Sequence, residues 1–307
     1  RRFKRVVQVG TQQRSGPNYQ KARKFIQDGK LGTIVSVGAE FHRNIYPGFG
    51  RPPDEAPPPE LDWDMFLGPA PKVRYNRNRG IYQFRWFWDY SGGQMTNWGQ
   101  HSLDIVHWVL ESKGPVSIYG TGGRLFLDDN CETPDVQDAI LEYESNGRPR
   151  WTFVSTTREC SLGESRKPLT FYGTNGSLSI TRELLTVCPD EDIPAINVMP
   201  GVLDGHPVGG PQPVRQEGPP KLRTERMDVV GQPRQLLKLH ARNFLDCIKS
   251  REKPISDLES GHRVATALHL ANLSLRLGRR LQWDAEKETV IGDREAVAML
   301  ERPYRKP

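Results

Sequence analysis

Apolar and polar residues alternate along the chain with two different periods, which predict both strands and helices. Between residues 34 and 42 every second residue is apolar, as in a half-buried strand, at Val35, Val37, Ala39 and Phe41. Around residues 19–26, 234–250 and 258–277 apolar residues instead recur every three or four positions, which predicts three helices. Residues 6–9 are rich in valine and predict a short strand before the first of these helices.

Five further strands are predicted in succession, at residues 116–126, 135–143, 150–157, 169–172 and 177–181. The turn signals Asn146-Gly147 and Thr174-Asn175-Gly176 indicate antiparallel neighbours. Two segments rich in proline, 47–71 and 189–220, predict a loop and an excursion over the surface. Strands followed by helices predict an α+β fold, with an open, largely antiparallel sheet covered by helices on one face.

Composition narrows the class of protein. The 307 residues carry a formal net charge of +6, but the basic residues are scattered and match no nucleic-acid-binding motif, so we expect no nucleic-acid partner. No run of about 20 apolar residues is present, so we expect no membrane span. The four cysteines have neither metal-ligand spacing nor the density of a disulfide framework, which favours the cytoplasm, or the periplasm if a leader lies upstream.

The most informative motif runs from Gly92-Gly93 into a helix. At helical spacing Asn97, His101, Asp104 and Trp108 share one face, while Leu103, Val106 and Leu110 share another. A single histidine is more often a satisfied residue than a catalytic one, but here an amide and a carboxylate accompany it on the same face. The motif therefore predicts a helix that lines a polar pocket.

Aromatic residues directly precede this motif. In residues 82–90 the aromatic positions alternate with polar ones, so an extended segment would present a row of rings. Such rings bind the C–H faces of sugars, and polar neighbours reach the hydroxyls. The residues that we expect to bind substrate in this segment are Arg85, Trp86, Trp88 and Tyr90.

The motif around His101 resembles the sugar-site motif of the Gfo/Idh/MocA oxidoreductases. Other parts of the chain agree in order: residues 7–15 resemble the last strand of that family's nucleotide domain and the turn after it, and residues 30–34 the crossing into its second domain. Residues 242–248 resemble the helix that returns near the end, and the tail from Trp283-Asp284 onward also fits.

The resemblance implies residues 1–33 as the remnant of a truncated Rossmann-type dinucleotide domain, and residues 34–307 as the α+β substrate and oligomerisation domain. It implies His101 as the acid/base at a sugar hydroxyl, with Asp104 supporting it and Asn97 at the position of a family aspartate. It also implies Gln13 and Arg14 facing the same cleft. Family members associate through the bare face of the sheet, so a homodimer or homotetramer is expected.

The cofactor that the resemblance implies is NAD or NADP, yet the chain contains no Gly-x-Gly-x-x-Gly turn to hold one. The family's active-site lysine, in a Glu-Lys-Pro motif, also belongs to the absent segment. The only such tripeptide here, Glu252-Lys253-Pro254, lies far along the chain between two C-terminal helices and is interpreted as a coincidence.

Two hypotheses follow. In the first, the chain is the substrate-binding portion of an NAD(P)-dependent sugar or cyclitol oxidoreductase. In the second, it works without a nucleotide, as a carbohydrate-binding protein or as a sugar lyase or isomerase that uses His101 with Glu40 and His42. Glu40 and His42 could also hold a metal with His101, but an oligomer surface is the better interpretation, and we expect no metal site.

Overall fold

The computed structural model describes residues 2–145, 148–161, 169–190, 201–203, 206–208, 222–228, 234–302 and 304–305. Within them six helices are α1 (Pro17–Gln27), α2 (Trp63–Leu67), α3 (Gly93–Leu110), α4 (Arg234–Ser250), α5 (Leu258–Leu277) and α6 (Arg294–Ala298). Short 3₁₀ helices lie at Gln12–Ser15, Arg77–Arg79 and Gln83–Trp86.

The first seven strands are β1 (Ile34–His42), β2 (Ser117–Gly123), β3 (Val136–Ser145), β4 (Arg148–Arg158), β5 (Leu169–Gly173), β6 (Gly176–Ile180) and β7 (Leu184–Pro189). The remaining five are β8 (Gly201–Leu203), β9 (His206–Val208), β10 (Glu225–Asp228), β11 (Leu281–Asp284) and β12 (Thr289–Val290). In the described residues β8 and β9 pair only with each other.

The other ten strands form one open sheet in the order β10-β7-β6-β5-β1-β4-β3-β2-β11-β12. All neighbouring pairs in it are antiparallel except β1 and β4, which run parallel with Gly38 opposite Val154. The predicted α+β class, with an open and largely antiparallel sheet, is therefore confirmed. The predicted turn at Thr174-Asn175-Gly176 joins β5 to β6, whereas Asn146-Gly147 and most of the 189–220 excursion lie outside the described residues.

Helices α1, α3 and α5 pack on one face of the sheet and form the main core with it. Val37, Phe153 and Phe171 from the sheet are buried in one cluster with Leu103 of α3 and Leu268 of α5. Helix α5 approaches β2 so closely that a Cβ on Gly120 would lie 2.4 Å from the carbonyl oxygen of Ala271. Only glycine allows this contact, which holds α5 against β2.

The opposite face of the sheet carries no helix among the described residues. Its neighbouring strands place the half-exposed side chains of Tyr119, Ile140 and Val154 side by side, since Tyr119 pairs with Ile140 and Ile140 with Val154. The row continues over Gly38, where the ring of Tyr172 lies 3.7 Å from the position of a Cβ. An apolar row thus crosses five strands on the uncovered face.

Two local predictions are wrong. Residues 6–9 form no strand, because the described residues offer no parallel strand beside them; Val9 N–H instead donates to the carbonyl of Ser256 at 2.8 Å. The segment 47–71 is not loop throughout, since it contains α2, whose first turn is capped by the Asp62 carboxylate accepting from the N–H of Met65.

Candidate functional site

The polar face of α3 forms the centre of the candidate site. Asn97, His101 and Asp104 lie on successive turns of this face, while Leu103 and Val106 on the other side are fully buried against the sheet. His101 is half-buried, and its Nδ1 is buried without a hydrogen-bond partner among the described residues. Burying a ring nitrogen without a hydrogen bond destabilises the fold. This nitrogen is therefore a candidate for binding a ligand or a water molecule.

The electrostatic surroundings keep His101 neutral. Burial and the positive charge of Arg182 lower its pKa from 6.5 to about 4. A neutral imidazole can accept a proton, and with a pKa of about 4 it does so as a weaker base than an ordinary histidine. Arg182 sits in the turn between β6 and β7, which is tied to α1 because the Asn18 side chain donates to the carbonyl of Thr181 at 2.7 Å.

Sequence reasoning missed Arg182. It belongs to no motif, and only the folding of the β6–β7 turn against α1 brings its charge near His101. The same helix contains a second histidine, His107, whose Nε2 lies 2.9 Å from the hydroxyl oxygen of Tyr143 in the core. Its pKa falls to about 3 through burial and the charges of Arg14 and Arg263. Its Nδ1 is also without a partner in the described residues, but the side chain is only 5% exposed and its Nε2 is held by Tyr143 in the core, so we interpret His107 as structural.

Asp104 lies one turn beyond His101 and is paired with Arg14. The guanidinium Nε donates to Oδ2 at 2.8 Å and Nη2 donates to Oδ1 at 2.7 Å, with 5% and 0% of the two side chains exposed. Nη1 of Arg14 donates to the carbonyl of Ile255 at 2.9 Å. The expectation that Arg14 faces the cleft is therefore corrected: its donors are used within the protein, because a buried guanidinium needs its charge compensated.

Gln13, next to Arg14, has a buried Oε1 without a hydrogen-bond partner in the described part of the chain. The neighbouring His240 of α4 is fully engaged, with Nδ1 2.9 Å from the hydroxyl of Ser15 and Nε2 2.8 Å from the carbonyl of Val9. Residues 8–15 are thus held between α3 and α4, and Gln13 keeps an acceptor that none of the described residues uses.

The predicted row of exposed rings in residues 82–90 is wrong. Gln83–Trp86 forms a 3₁₀ helix, and the side chains of Trp86 and Phe87 are fully buried in a small core of their own with Cys131. Arg85 lies over the ring of Tyr82 at 4.2 Å, and Arg276 over the ring of Trp88 at 5.1 Å. A 3₁₀ helix aligns residues three apart, so rings at every second position do not share one side.

Tyr90 opens into a different space from His101. It lines a cavity of about 310 Å³ together with Phe66, Ile81, Asp89 and Arg302, and no residue of α3 takes part in that lining. The structure therefore does not bring Tyr90 together with the α3 face. Trp86 is connected to α3 by hydrogen bonds through Glu159 and Gln94, and not by an exposed ring.

Glu40 and His42 also lie apart from His101. They alternate with Val37, Ala39 and Phe41, whose side chains are buried under the helices, so they belong to the opposite face of β1. Nε2 of His42 lies 3.1 Å from the Glu40 carboxylate. The hypothesis that Glu40, His42 and His101 act as one group is therefore corrected. No cluster of three or more His, Cys, Asp or Glu side chains suited to a metal ion occurs in the described residues.

Comparisons with known proteins identify the family of the chain. The family model for the C-terminal α/β domain of Gfo/Idh/MocA oxidoreductases matches residues 16–119 and 224–307, more than half of the chain. The chain belongs to the Gfo/Idh/MocA oxidoreductase family. A second family model, for the Gfo/Idh/MocA C-terminal domain, matches residues 71–179. No curated protein matches the chain.

Solved structures share the family's fold. Levoglucosan dehydrogenase in complex with NADH and levoglucosan is 13% identical, with a TM-score of 0.61. The match covers 92% of this chain and 68% of the dehydrogenase chain. Aldose-aldose oxidoreductase from Caulobacter crescentus, complexed with glycerol, is 15% identical, with a TM-score of 0.57, and covers 91% and 64%. The chain spans about two thirds of the length of these structures.

A dinucleotide needs a helix N-terminus with free N–H groups and room for phosphate. Helix α1 begins at Pro17, which has no N–H, and a Cβ on Gly16 would lie 2.6 Å from Leu236. At α3 the left-handed Gly93 lets Thr133 approach to 2.6 Å of the Cβ position, so protein fills that space. The Asp257 carboxylate caps α5 by accepting from the N–H of Ser260. These three helix N-termini do not fit a pyrophosphate.

The tripeptide Glu252-Lys253-Pro254 lies between α4 and α5, as predicted from the sequence. Lys253 is largely exposed and its ammonium pairs with the Asp257 carboxylate that caps α5. Within the described residues, no helix is both long enough and apolar enough to cross a bilayer.

Proposed function

We propose that this chain is the substrate-binding portion of an NAD(P)-dependent oxidoreductase of sugars or cyclitols, with His101 as the acid/base at the substrate hydroxyl. The observation that carries the proposal is the state of His101: half-buried, neutral, and with Nδ1 lacking a partner in the described residues. Oxidation of a secondary alcohol requires that its hydroxyl proton be accepted, and a positioned neutral imidazole can do this.

A polyhydroxylated substrate suits the groups around His101. The half-buried amide of Asn97 lies one turn away on α3. Gln13 is next to Arg14, which pairs with Asp104 of the same helix, and its Oε1 has no partner in the described residues. Arg182 adds a positive charge close enough to act on His101. An amide group can donate to a hydroxyl and accept from one, and a guanidinium N–H can donate to one. The family's sugar-binding members, such as the levoglucosan complex, support this substrate class.

In this proposal residues 1–33 are the end of a nucleotide-binding domain, and the remainder of the cofactor site is supplied by residues other than those described. Helix α4 supports it, because Leu237, Leu245 and Ile248 expose 58%, 47% and 41% of their surface along one side of the helix. Val7 on the 6–9 segment is 42% exposed. An apolar stripe of this kind fits burial against a further domain.

We also propose a homo-oligomer that covers the bare face of the sheet, and a cytoplasmic location. The apolar row of Tyr119, Ile140, Val154 and Tyr172 supports the first. The second is supported by the four cysteines, all of which are free thiols.

The test is sugar-dependent reduction of NAD(P)⁺ by the protein that contains this chain, over a panel of aldoses, anhydrosugars, cyclitols and uronic acids. Replacing His101 by Ala should lower the rate by about 10² to 10⁴ without changing the fold. His262→Ala is the matched control, because His262 is an exposed histidine paired with Glu288. Unchanged turnover in the His101 variant would overturn the assignment. Turnover of a sugar without any nucleotide would support the lyase or isomerase hypothesis instead.

A further inference from the structure

Asn97 stands at the end of a chain of three hydrogen bonds that begins deep in the protein. Nε1 of Trp86 donates to Oε2 of Glu159 at 2.7 Å, and Nε2 of Gln94 donates to Oε1 of the same carboxylate at 2.8 Å. Nδ2 of Asn97 then donates to Oε1 of Gln94 at 3.0 Å. Trp86 and Glu159 are 0% exposed and Gln94 is 2% exposed, so protein groups rather than bulk water must satisfy these atoms.

The chemistry of the buried end fixes the direction of every bond in this chain. An indole N–H can only donate, and an ionised carboxylate can only accept. Glu159 therefore requires an N–H from Gln94, which turns the Oε1 of Gln94 toward Asn97. Asn97 must in turn use its NH₂ group on Gln94, and its Oδ1 is left as an acceptor. The hydrogen bond of Asn97 within the described residues uses Nδ2 and not Oδ1.

The environment of Glu159 holds competing influences. The pKa of Glu159 is raised overall, chiefly by burial, and the N–H groups of Gln94 and Trp86 and the positive charges of Arg124 and Arg43 limit that rise. Arg43 lies over the ring of Trp86 at 5.5 Å, and Arg124 is paired with the buried Asp129. The two donated N–H bonds stabilise the carboxylate form, which is the form that orients Gln94.

We propose that Glu159 is a positioning residue that acts through Gln94 to present Oδ1 of Asn97 as a hydrogen-bond acceptor for a substrate hydroxyl. The substrate hydroxyl that donates to Asn97 would neighbour the one that gives its proton to His101, because the two residues are one helical turn apart. The part concerning substrate rests on the proposed function. The direction of the hydrogen-bond chain does not, and it can be tested without a substrate.

Paired substitutions at the two ends test the direction. In Asn97→Asp the new carboxylate oxygen replaces the NH₂ group that donates to Oε1 of Gln94, so two acceptors face each other. If the Gln94 amide turned over, its Oε1 would instead face the Glu159 carboxylate, again acceptor against acceptor. Glu159→Gln can still accept from Trp86 with its Oε1, and its NH₂ group can donate to a turned Gln94. The double variant N97D/E159Q then re-forms all three bonds with the direction between residues 159 and 97 reversed.

The first measurement is the urea unfolding midpoint of the wild type, both single variants and the double variant. We expect N97D to lower the midpoint and E159Q, added to N97D, to raise it again. Asn18→Asp is the matched control: Asn18 is a buried asparagine on α1 that donates to Thr181 and lies outside the chain of bonds, so its effect should add to that of E159Q. The proposal would be overturned if the unfolding midpoint of N97D/E159Q fell by the sum of the decreases in the two single variants.

The second measurement is KM for a sugar that the wild-type protein oxidises, with levoglucosan as the first probe. Glu159→Gln lets Asn97 turn its NH₂ group outward, so KM should rise by up to about tenfold, the value of one hydrogen bond. The double variant, which again presents an oxygen, should recover most of this loss. An unchanged KM in E159Q would overturn the assignment of Asn97 as acceptor. If no sugar is oxidised by the wild type, the proposed function fails, while the unfolding midpoints still decide the direction of the chain.

Discussion

The guanidinium of Arg14 and the carboxylate of Asp104 form a bidentate ion pair that the fold removes almost completely from water. The two hydrogen bonds measure 2.8 and 2.7 Å, and Asp104 is 0% exposed. Burial raises the pKa of Asp104, and the charge of Arg14 opposes that rise. The pair joins residues 12–15 to α3 directly beside His101, so the geometry of the candidate site depends on it.

Breaking this pair from one side should be costly. Asp104→Ala would leave the Arg14 charge buried without compensation, and we expect a loss of about 3–5 kcal/mol in the free energy of unfolding, measured by urea denaturation. The double variant Arg14→Met/Asp104→Leu should lose less, because no buried charge remains. The exposed pair Lys24–Asp28 gives the control, since Asp28→Ala should change stability by about 0.5 kcal/mol or less. A loss for Asp104→Ala no larger than that of the control would contradict the prediction.

The depressed pKa of His101 predicts a pH dependence of stability. The pKa is about 4 in the folded state against an ordinary value of 6.5, so between these values the unfolded chain binds a proton that the folded chain rejects. Stability from this group is therefore complete above pH 6.5 and is lost as the pH falls toward 4. His107, with a pKa of about 3, acts in the same direction. Unfolding free energies of the wild type and His101→Phe, measured between about pH 4 and 7, should differ in slope.

Arg182 gives a separate test of that pKa. Arg182→Gln removes one of the two causes of the depression, so the pKa of His101 should rise, while burial keeps it below 6.5. The measurement is the titration of the His101 ring protons by NMR. Glu183→Gln is a neighbouring control, because Glu183 does not contribute to the shift of His101. An unchanged His101 titration in Arg182→Gln would show that burial alone lowers the pKa.

Much of the fold follows from local patterns. Helices α4 and α5 match the predicted limits at residues 234–250 and 258–277, and α5 has clear end signals: the Asp257 cap at its start and the left-handed Gly278 at its end. The strand from residue 34 to 42 follows from its period of two. Patterns of this kind are set by residues close in the chain, which a sequence displays directly.

Apart from the short helix α2, the misses involve partners far along the chain. The indole of Trp86 is buried because it donates to Glu159, 73 residues later, and this bond is invisible in the alternating pattern of residues 82–90. Arg14 is expected in the cleft because it is charged, but its partner Asp104 is 90 residues away. The parallel pairing of β1 with β4 has the same character. The sequence locates Asn97, His101 and Asp104, whereas Arg182, Gln94 and Glu159 require the tertiary structure.

The uncovered face of the sheet predicts self-association. Tyr119, Ile140, Val154 and Tyr172 are 44%, 43%, 38% and 47% exposed, and together they form one apolar row. We expect a dimer or tetramer in sedimentation velocity at micromolar concentration, and dissociation when Ile140 is replaced by Lys, because a charge in the row must be desolvated on association. The control is Ile291→Lys, at a 58% exposed position next to β12. A wild-type monomer at these concentrations would contradict the prediction.

Nucleotide affinity is the last property that the described residues predict. NADH should bind this chain only weakly, because α1 begins with a proline and is packed against Leu236, while the start of α5 is occupied by the carboxylate of Asp257. A pyrophosphate would lack the first N–H at α1 and would meet the negative charge of Asp257 at α5. The chain carries seven tryptophans, so quenching of their fluorescence by added NADH or NADPH measures binding, with free N-acetyltryptophanamide as the control for light absorption by the nucleotide. Saturable quenching at micromolar nucleotide would contradict the prediction and would locate the cofactor site on this chain.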